Sequence, residues 1–167
     1  MILGSNNEAI IIPEGMISIG YYAFSGCSSL TSITIPEEVI SIGSHAFEGC
    51  SRLTNVYYLG SATEWGSMSI SSSNTYLTNA NRYYITFYNG KVDVKYLANG
   101  TGQAVAFADY SVLYSSSDTS VASVNSATGA VTFASGLEDG TEVTITATIT
   151  INGEVVENSY TAVYSVA

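Results

Sequence analysis

Apolar and polar residues recur with a period of 23 positions in the first half of the chain. Residues 12–34 align without a gap to residues 35–57, and 14 of the 23 positions are identical. Within each copy, apolar residues at Leu-x-x-Leu-x-Leu spacing, such as Leu30, Ile33 and Ile35, alternate with polar residues. A period in the low twenties predicts a solenoid in which every turn contributes a strand and a compact return segment.

The alternation within this strand separates an inward face from an outward face. The residues expected to face the core are Leu30, Ile33, Ile35, Leu53, Val56 and Tyr58. The residues expected to face outward are Thr31, Ser32, Thr34, Thr54, Asn55 and Tyr57. Because a repeat array turns such a row into an extended surface, and hydroxyl, amide and tyrosine groups suit recognition, this outward row is the candidate ligand surface. The alternative interpretation is that the row only keeps an exposed sheet face hydrated.

Equivalent residues of consecutive turns are expected to stack about one strand spacing apart, ~4.8 Å. The predicted columns pair Phe24 with Phe47, Gly20 with Gly43 and Cys27 with Cys50. A disulfide between the two cysteines is sterically allowed, since bridged Cα atoms lie ~4.4–6.8 Å apart. Buried free thiols acting as small apolar residues are the favoured interpretation.

Each copy also predicts two shorter elements. Alternation at residues 17–19 and 40–42 indicates a second short extended segment per turn. The Ala-Phe pair followed by glycine, at residues 23–26 and 46–49, is typical of one helical turn with its ring in the core and a permissive residue at its end.

The second half of the chain has the pattern of short antiparallel strands. Apolar residues at every second position from Val143 to Ile151 alternate with polar residues, which predicts a half-buried strand. Asn152-Gly153 then forms a favoured two-residue hairpin turn. Further strands are predicted at residues 91–96, 103–107, 111–115, 121–124, 130–133 and 160–166. Six or seven short strands in this stretch indicate a sandwich.

Composition narrows the classes of partner. Four Lys and Arg against 14 Asp and Glu give a net charge of −10, so nucleic acid and anionic lipid are poor candidates. No apolar run approaches the ~20 residues that a membrane-spanning helix needs, and we expect no membrane insertion. The first six residues lack the cationic and apolar segments of a signal peptide.

The sequence predicts no catalytic residue, no cofactor and no metal ion. His45 is the single histidine and stands at the repeat position of Tyr22, which favours an exposed variable position over a catalytic base. Adjacent acids such as Glu37 and Glu38 lie in loops and are interpreted as solvated. A calcium site remains an alternative because hard oxygen ligands suit that ion. Its candidate ligands are Asp109, Asp118, Glu138 and Asp139.

The repeat string Ile-Pro-Glu-x-x-x-Ser-Ile-Gly-x-x-Ala-Phe-x-Gly-Cys-x-x-Leu-Thr resembles the BspA-like leucine-rich repeat of bacterial surface proteins. The resemblance covers residues 8 to about 84. Its later part, through Tyr83-Tyr84, resembles the divergent closing unit of such arrays. Because the open end of a solenoid exposes core, we expect Trp65, Met68, Ile70 and Leu77 to cover that end.

Residues 114–124, 128–132 and 140–148 are similar to the bacterial immunoglobulin-like group 2 domain, with Tyr114 where that family often has tryptophan. The two resemblances imply a mainly β protein. They predict a short leucine-rich repeat solenoid with its C-terminal cap at residues 1–84 and an immunoglobulin-like β-sandwich at residues 85–167. Both kinds of module imply an extracellular or cell-surface location.

These resemblances imply a non-enzymatic adhesion or recognition module that binds an extracellular protein or glycan. Two alternatives stay open. The chain acts as a structural spacer of a larger extracellular protein and binds nothing itself, or it is an accessory module of a carbohydrate-active enzyme. The oligomeric state is not predicted.

Overall fold

The computed structural model describes residues 8–167, which divide into two compact units. One unit contains residues up to 85 together with residues 94–107, and the other contains residues 86–93 and 108–167. The predicted boundary between residues 84 and 85 therefore differs from this division, since residues 94–107 return to the first unit. The N-terminal residues Ile2 and Leu3 lie outside the described residues.

The elements up to residue 107 alternate between strands of two sheets. In chain order they are β1 (Ala9–Ile11), β2 (Ser18–Ile19), β3 (Ser32–Pro36), β4 (Ser41–Ile42), β5 (Asn55–Leu59), α1 (Ala62–Ser67), β6 (Ser69–Ile70), α2 (Thr75–Thr78), β7 (Asn81–Tyr88), β8 (Lys91–Leu97), a 3₁₀ turn (Ala98–Gly100) and β9 (Val105–Ala106). Among the described residues, one sheet has the order β1-β3-β5-β7-β8-β9 and a second has the order β2-β4-β6. Strands β1, β3, β5 and β7 pair in parallel, as do β2, β4 and β6.

The 23-residue period is the spacing of the parallel strands. Ser32 pairs with Asn55 between β3 and β5, and Ser18 pairs with Ser41 between β2 and β4. The Phe24 and Phe47 rings stack with centroids 5.3 Å apart, which confirms the predicted column. The predicted inward residues of both turns are all buried in the core of the first unit.

The helical turn predicted around Ala-Phe is wrong, because these segments form hydrogen-bonded turns. The N–H groups of Ala23, Ser25 and Cys27 donate to the carbonyl three residues back, and no helix is assigned there. Tyr22 and His45 have left-handed φ values of 57° and 60°, and a left-handed residue does not continue a right-handed helix. Phe24 and Phe47 are nevertheless buried, as predicted.

A divergent third turn closes the solenoid. Helix α1 begins with a capping box in which the Ser61 hydroxyl accepts from the Glu64 N–H and the Glu64 carboxylate accepts from the Ser61 N–H. Trp65, Met68 and Leu77 are buried against the core and Ile70 is partly buried there. This confirms the prediction that these residues cover the end of the solenoid. The Arg82 guanidinium lies 4.1 Å from the centre of the Trp65 ring, a cation–π contact.

The second unit is built from antiparallel strands. These are β10 (Tyr110–Ser116), β11 (Ala122–Val124), β12 (Val131–Phe133), β13 (Glu142–Ile151) and β14 (Glu154–Val163). Their sheets have the orders β10-β13-β14 and β11-β12. The alternate residues of β13 from Val143 to Ile151 are buried, as the sequence predicts. The last strand begins at Glu154 rather than at the predicted Tyr160, because the Asn152-Gly153 turn starts the return strand at once.

Candidate functional site

The predicted ligand row lies on adjacent parallel strands, but most of it is covered. Thr54 is exposed and Thr31 and Asn55 are half-buried. Ser32, Thr34 and Tyr57 are buried, with 3%, 5% and 1% of their surface exposed. The prediction that all six residues face solvent is therefore wrong for these last three. Only Thr31, Thr54 and Asn55 offer polar surface to a ligand from this row.

Aromatic packing on the outer side of the sheet accounts for the burial of Tyr57. Its ring lies 5.3 Å from that of Tyr83 on β7, and the Tyr83 ring lies 4.9 Å from that of Tyr96 on β8. Phe107 then contacts both Tyr83 and Tyr96, at 5.1 and 5.6 Å. Four rings from separate segments thus form a second apolar cluster on the face that the sequence predicts to be open.

An asparagine pair continues the row beside these rings. The Asn81 side-chain amide donates to the Asn55 side-chain oxygen at 3.4 Å, and the two residues are register partners in the sheet. The Asn81 side-chain oxygen accepts from the Asn99 N–H at 3.0 Å and from the Tyr96 hydroxyl at 3.4 Å. The turn that follows β8 therefore holds Asn81, and Asn81 in turn holds the Asn55 side chain, which reduces its freedom to meet a ligand.

His45 lies on the return side of the solenoid, away from the candidate row. Its side chain is half-buried, with 27% exposed, and its Nδ1 lies 3.0 Å from the Glu48 carboxylate. The imidazole stacks on the Tyr22 ring at 4.7 Å with only 9° between the planes. The position is thus less exposed than predicted, and its ring contacts both Glu48 and Tyr22. Tyr21 also contacts both rings, at 4.4 Å from Tyr22 and 5.8 Å from His45.

Both cysteines are free thiols in the core, as the favoured interpretation expects. The Cys50 thiol donates to the Phe24 carbonyl oxygen at 3.2 Å. Burial raises the pKa of Cys50 to about 11 and also raises that of Cys27. A nucleophilic thiol needs a lowered pKa and access to solvent, so neither cysteine is arranged for catalysis.

A carboxylate pair that the sequence does not predict lies at a cavity of about 250 Å³. Glu37 and Glu64 line it together with the Tyr58 side chain and apolar residues that include Val39 and Met68. Burial raises the pKa of Glu37, and the nearby Glu64 carboxylate raises it further. The pKa of Glu64 is lowered, first by the hydrogen bond from the Ser61 backbone. Serine followed by glutamate three residues later is the sequence signal for the start of α1. Nothing in the spacing of Glu37 and Glu64 along the chain indicates that the two carboxylates meet.

Neither a metal centre nor a membrane span is visible in residues 8–167. No three His, Cys, Asp or Glu side chains of this range come close enough together to hold an ion. Two of the acidic residues accept backbone hydrogen bonds: the Asp118 carboxylate accepts from the Ser120 N–H, and that of Asp139 accepts from the Val166 N–H. Within the same range, no helix is long and apolar enough to cross a bilayer.

Comparison with known proteins gives one family. A family model described as "BspA type Leucine rich repeat region (6 copies)" matches residues 3–89. A crystal structure of a leucine rich cell surface protein from Faecalibacterium prausnitzii A2-165 is 42% identical over the matched region, with a TM-score of 0.36. That match covers 37% of this chain and 16% of the solved chain. No curated protein matches the sequence at a significant level.

Proposed function

The chain belongs to the BspA-type leucine-rich repeat family, and from this premise we propose that it is a non-enzymatic recognition module at a bacterial cell surface. Its ligand would be an extracellular protein or a glycan. The proposal concerns binding alone, because both thiols are buried and the His45 imidazole is paired with the Glu48 carboxylate.

The observation that carries the proposal is the register of the parallel strands. Ser32, Asn55 and Asn81 are successive partners across β3, β5 and β7, so equivalent positions recur at one strand spacing. Ser32 itself is buried, but the same register places the more accessible Thr31 beside Thr54, one residue earlier on each strand. Regular columns of this kind give a rigid surface whose side chains keep fixed separations. A preorganised surface loses little conformational entropy when it binds a ligand, which is the property that a recognition module needs.

The test is a binding screen with the full chain. The purified protein would be measured by biolayer interferometry against immobilised extracellular-matrix proteins and a panel of neutral and acidic glycans. Saturable binding to one of them supports the proposal. If the chain binds none of these proteins and none of these glycans, the proposal is contradicted.

A paired variant asks whether the accessible part of the row carries the binding. Thr31→Val and Thr54→Val together keep the side-chain shape and remove two hydroxyls. The matched control is Thr150→Val, an exposed threonine on β13. Loss of binding in the double variant alone assigns the ligand to this row, whereas unchanged binding places the ligand elsewhere on the protein.

A structural spacer is the second candidate, and the burial of Ser32, Thr34 and Tyr57 favours it. A sheet face covered by the protein's own side chains has less surface for a partner. If the chain is a spacer, we expect it to bind no protein or glycan in the screen just described and to have a high melting temperature.

For the second unit, we propose an immunoglobulin-like domain of the bacterial group 2 type. The hairpin of β13 and β14 and the pairing of β10 with β13 support it. Tyr114 is buried and its hydroxyl accepts from the Val92 N–H at 3.0 Å, as expected for an aromatic residue in the core of such a domain. An experimental structure of the full chain, compared strand by strand with the group 2 sandwich, tests the assignment.

A further inference from the structure

Three aromatic side chains form a ring cluster on the return side of the solenoid: Tyr21, Tyr22 and His45. The Tyr22 and His45 rings are stacked, and the Tyr21 ring meets that of Tyr22 edge-on at 76°. Tyr21 is 63% exposed and Tyr22 is 44% exposed. Recognition surfaces are enriched in large aromatic side chains that pack against one another and still face solvent.

The backbone under these rings does not need aromatic residues. Tyr22, His45 and Ser73 stand at equivalent places in three successive turns, with φ values of 57°, 60° and 65°. Glycine or asparagine takes this left-handed conformation most readily, and other residues incur a cost of roughly 1–2 kcal/mol. Because the third turn has serine, the fold requires the conformation but not the ring.

We propose that the ring cluster is a binding platform for a neutral glycan, with a pyranose ring packed on an exposed tyrosine. The inference rests on the proposed recognition function and names both a ligand class and a site. A pyranose presents a face of weakly positive C–H groups, which the electron-rich face of an aromatic ring attracts. Its hydroxyl groups can bond to the tyrosine hydroxyls and to Glu48, whose carboxylate is 53% exposed beside His45.

Charge selects a neutral glycan over an acidic one. The chain has a net charge of −10, and Glu48 lies directly at the ring cluster. Sialylated or uronate-containing glycans would bring carboxylates toward this acidic surface, and like charges at short range oppose binding. A neutral sugar has no such repulsion and makes the same hydrogen bonds.

The experiment combines NMR with a glycan panel and the full chain. The panel contains neutral oligosaccharides ending in galactose, glucose, mannose or N-acetylglucosamine, each with a sialylated counterpart. The chain has a single histidine, so the imidazole C–H signals report on the ring cluster without ambiguity. We expect one neutral oligosaccharide to shift these signals in a saturable way and its sialylated form to bind more weakly.

The test variant is Tyr21→Ala with Tyr22→Gly. Glycine at position 22 suits the left-handed backbone, so the fold is kept while two rings are removed. The control is Tyr76→Ala, which removes a tyrosine with the same 44% exposure from α2. We expect the double variant to lower the affinity by about tenfold or more and the control to leave it unchanged, with equal melting temperatures.

The outcomes distinguish failure of the proposed glycan site from failure of the proposed recognition function. Glycan binding that is equal in the double variant and the control overturns the ring cluster as the site, while the recognition function stands. Binding to a protein or peptide without binding to any glycan also overturns the inference and keeps the function. A chain that binds neither class of ligand overturns both.

Discussion

The side-chain oxygen of Asn74 accepts a hydrogen bond from the Phe47 backbone N–H at 3.0 Å. One turn earlier, the N–H of Phe24 donates to the Ala46 carbonyl at 2.8 Å. An asparagine side chain thus takes the place of the backbone carbonyl that a further repeat would supply. Its amide group donates to the carbonyls of Gly43 and Ser71, so the capping side chain is held on both sides.

Asn74→Ala should destabilise the protein by about 1–3 kcal/mol, because it leaves the buried Phe47 N–H unsatisfied. The Gly43 carbonyl keeps its hydrogen bond from the Ala46 N–H. Denaturant unfolding monitored by tryptophan fluorescence measures the loss, since the single Trp65 lies in the same closing turn. Asn79→Ala is the control, because no described side-chain hydrogen bond involves Asn79. A loss no larger in Asn74→Ala than in the control would contradict the capping role.

The stack of Phe24 on Phe47 predicts energetic coupling between the two rings. Phe47 has no exposed surface, and its replacement by alanine should cost about 3–5 kcal/mol. Phe24→Ala should cost less, because Phe24 lies at the first turn and is 5% exposed. The double variant should show a coupling energy of about 0.5–1.5 kcal/mol in a thermodynamic cycle. Strictly additive losses would mean that the rings do not stabilise each other.

Gly20 and Gly43 share one repeat position but have different surroundings. A Cβ on Gly43 would lie 2.7 Å from the Tyr21 backbone nitrogen, whereas a Cβ on Gly20 would meet nothing within 4 Å. Gly43→Ala should therefore force the turns apart and destabilise by about 1–3 kcal/mol. Gly20→Ala should stabilise by about 0.5 kcal/mol, because it restricts the unfolded chain. Thermal unfolding of both variants measures the difference, and equal shifts would refute the close approach of the two turns.

The sequence predicts the stacked register well because identical side chains recur at a constant interval. The apolar positions of both copies face the core, and Phe24 lies over Phe47 as expected. The sequence shows that the closing turn is divergent, but it does not align that turn with the two repeats. Ser41 pairs with Ser69 at an interval five residues longer than the interval from Ser18 to Ser41. The repeat period does not show at which positions of the turn these extra residues are inserted.

Accessibility of the candidate row could not be predicted from alternation. Alternation separates two faces of a strand, but it does not say whether another segment covers the outer one. Tyr57 is covered by Tyr83, and Tyr83 by Phe107, which lies 50 residues beyond Tyr57 in the chain. The shared repeat position of Tyr22 and His45 is visible in the sequence, but the difference in residue type favours a variable position and does not predict that the two rings stack.

The pair of Glu37 and Glu64 predicts a pH-dependent contribution to stability. The pKa of Glu37 is raised above its ordinary 4.5 by burial and by Glu64, so the folded state holds this proton to higher pH than the unfolded state. Stability therefore falls as pH rises through the interval between the two values. Glu37→Gln should raise the melting temperature at pH 7, and the gain should vanish below about pH 4.

Thermal melts across this pH range measure the effect. Glu14→Gln is the matched control, because Glu14 occupies the same repeat position but does not line the cavity with Glu64. A gain that persists undiminished in acid, or that also appears in the Glu14 variant, would rule out the carboxylate pair as its cause.

The buried thiols give a measure of how the core opens. Cys50 has no exposed surface and a pKa of about 11, and Cys27 is 6% exposed. At pH 8 only about one Cys50 thiol in a thousand is ionised, so a disulfide reagent should modify it slowly, and more slowly than Cys27.

The variant Cys27→Ala isolates the Cys50 reaction. The rate of that reaction in the native protein, relative to its rate in guanidinium, gives the free energy of opening. This energy should approach that of global unfolding, because the Cys50 thiol is bonded to the Phe24 carbonyl between the two stacked turns. Rapid native modification of Cys50 would show that the turns separate locally, and a mass two units below that of the reduced chain would show a bridge instead of free thiols.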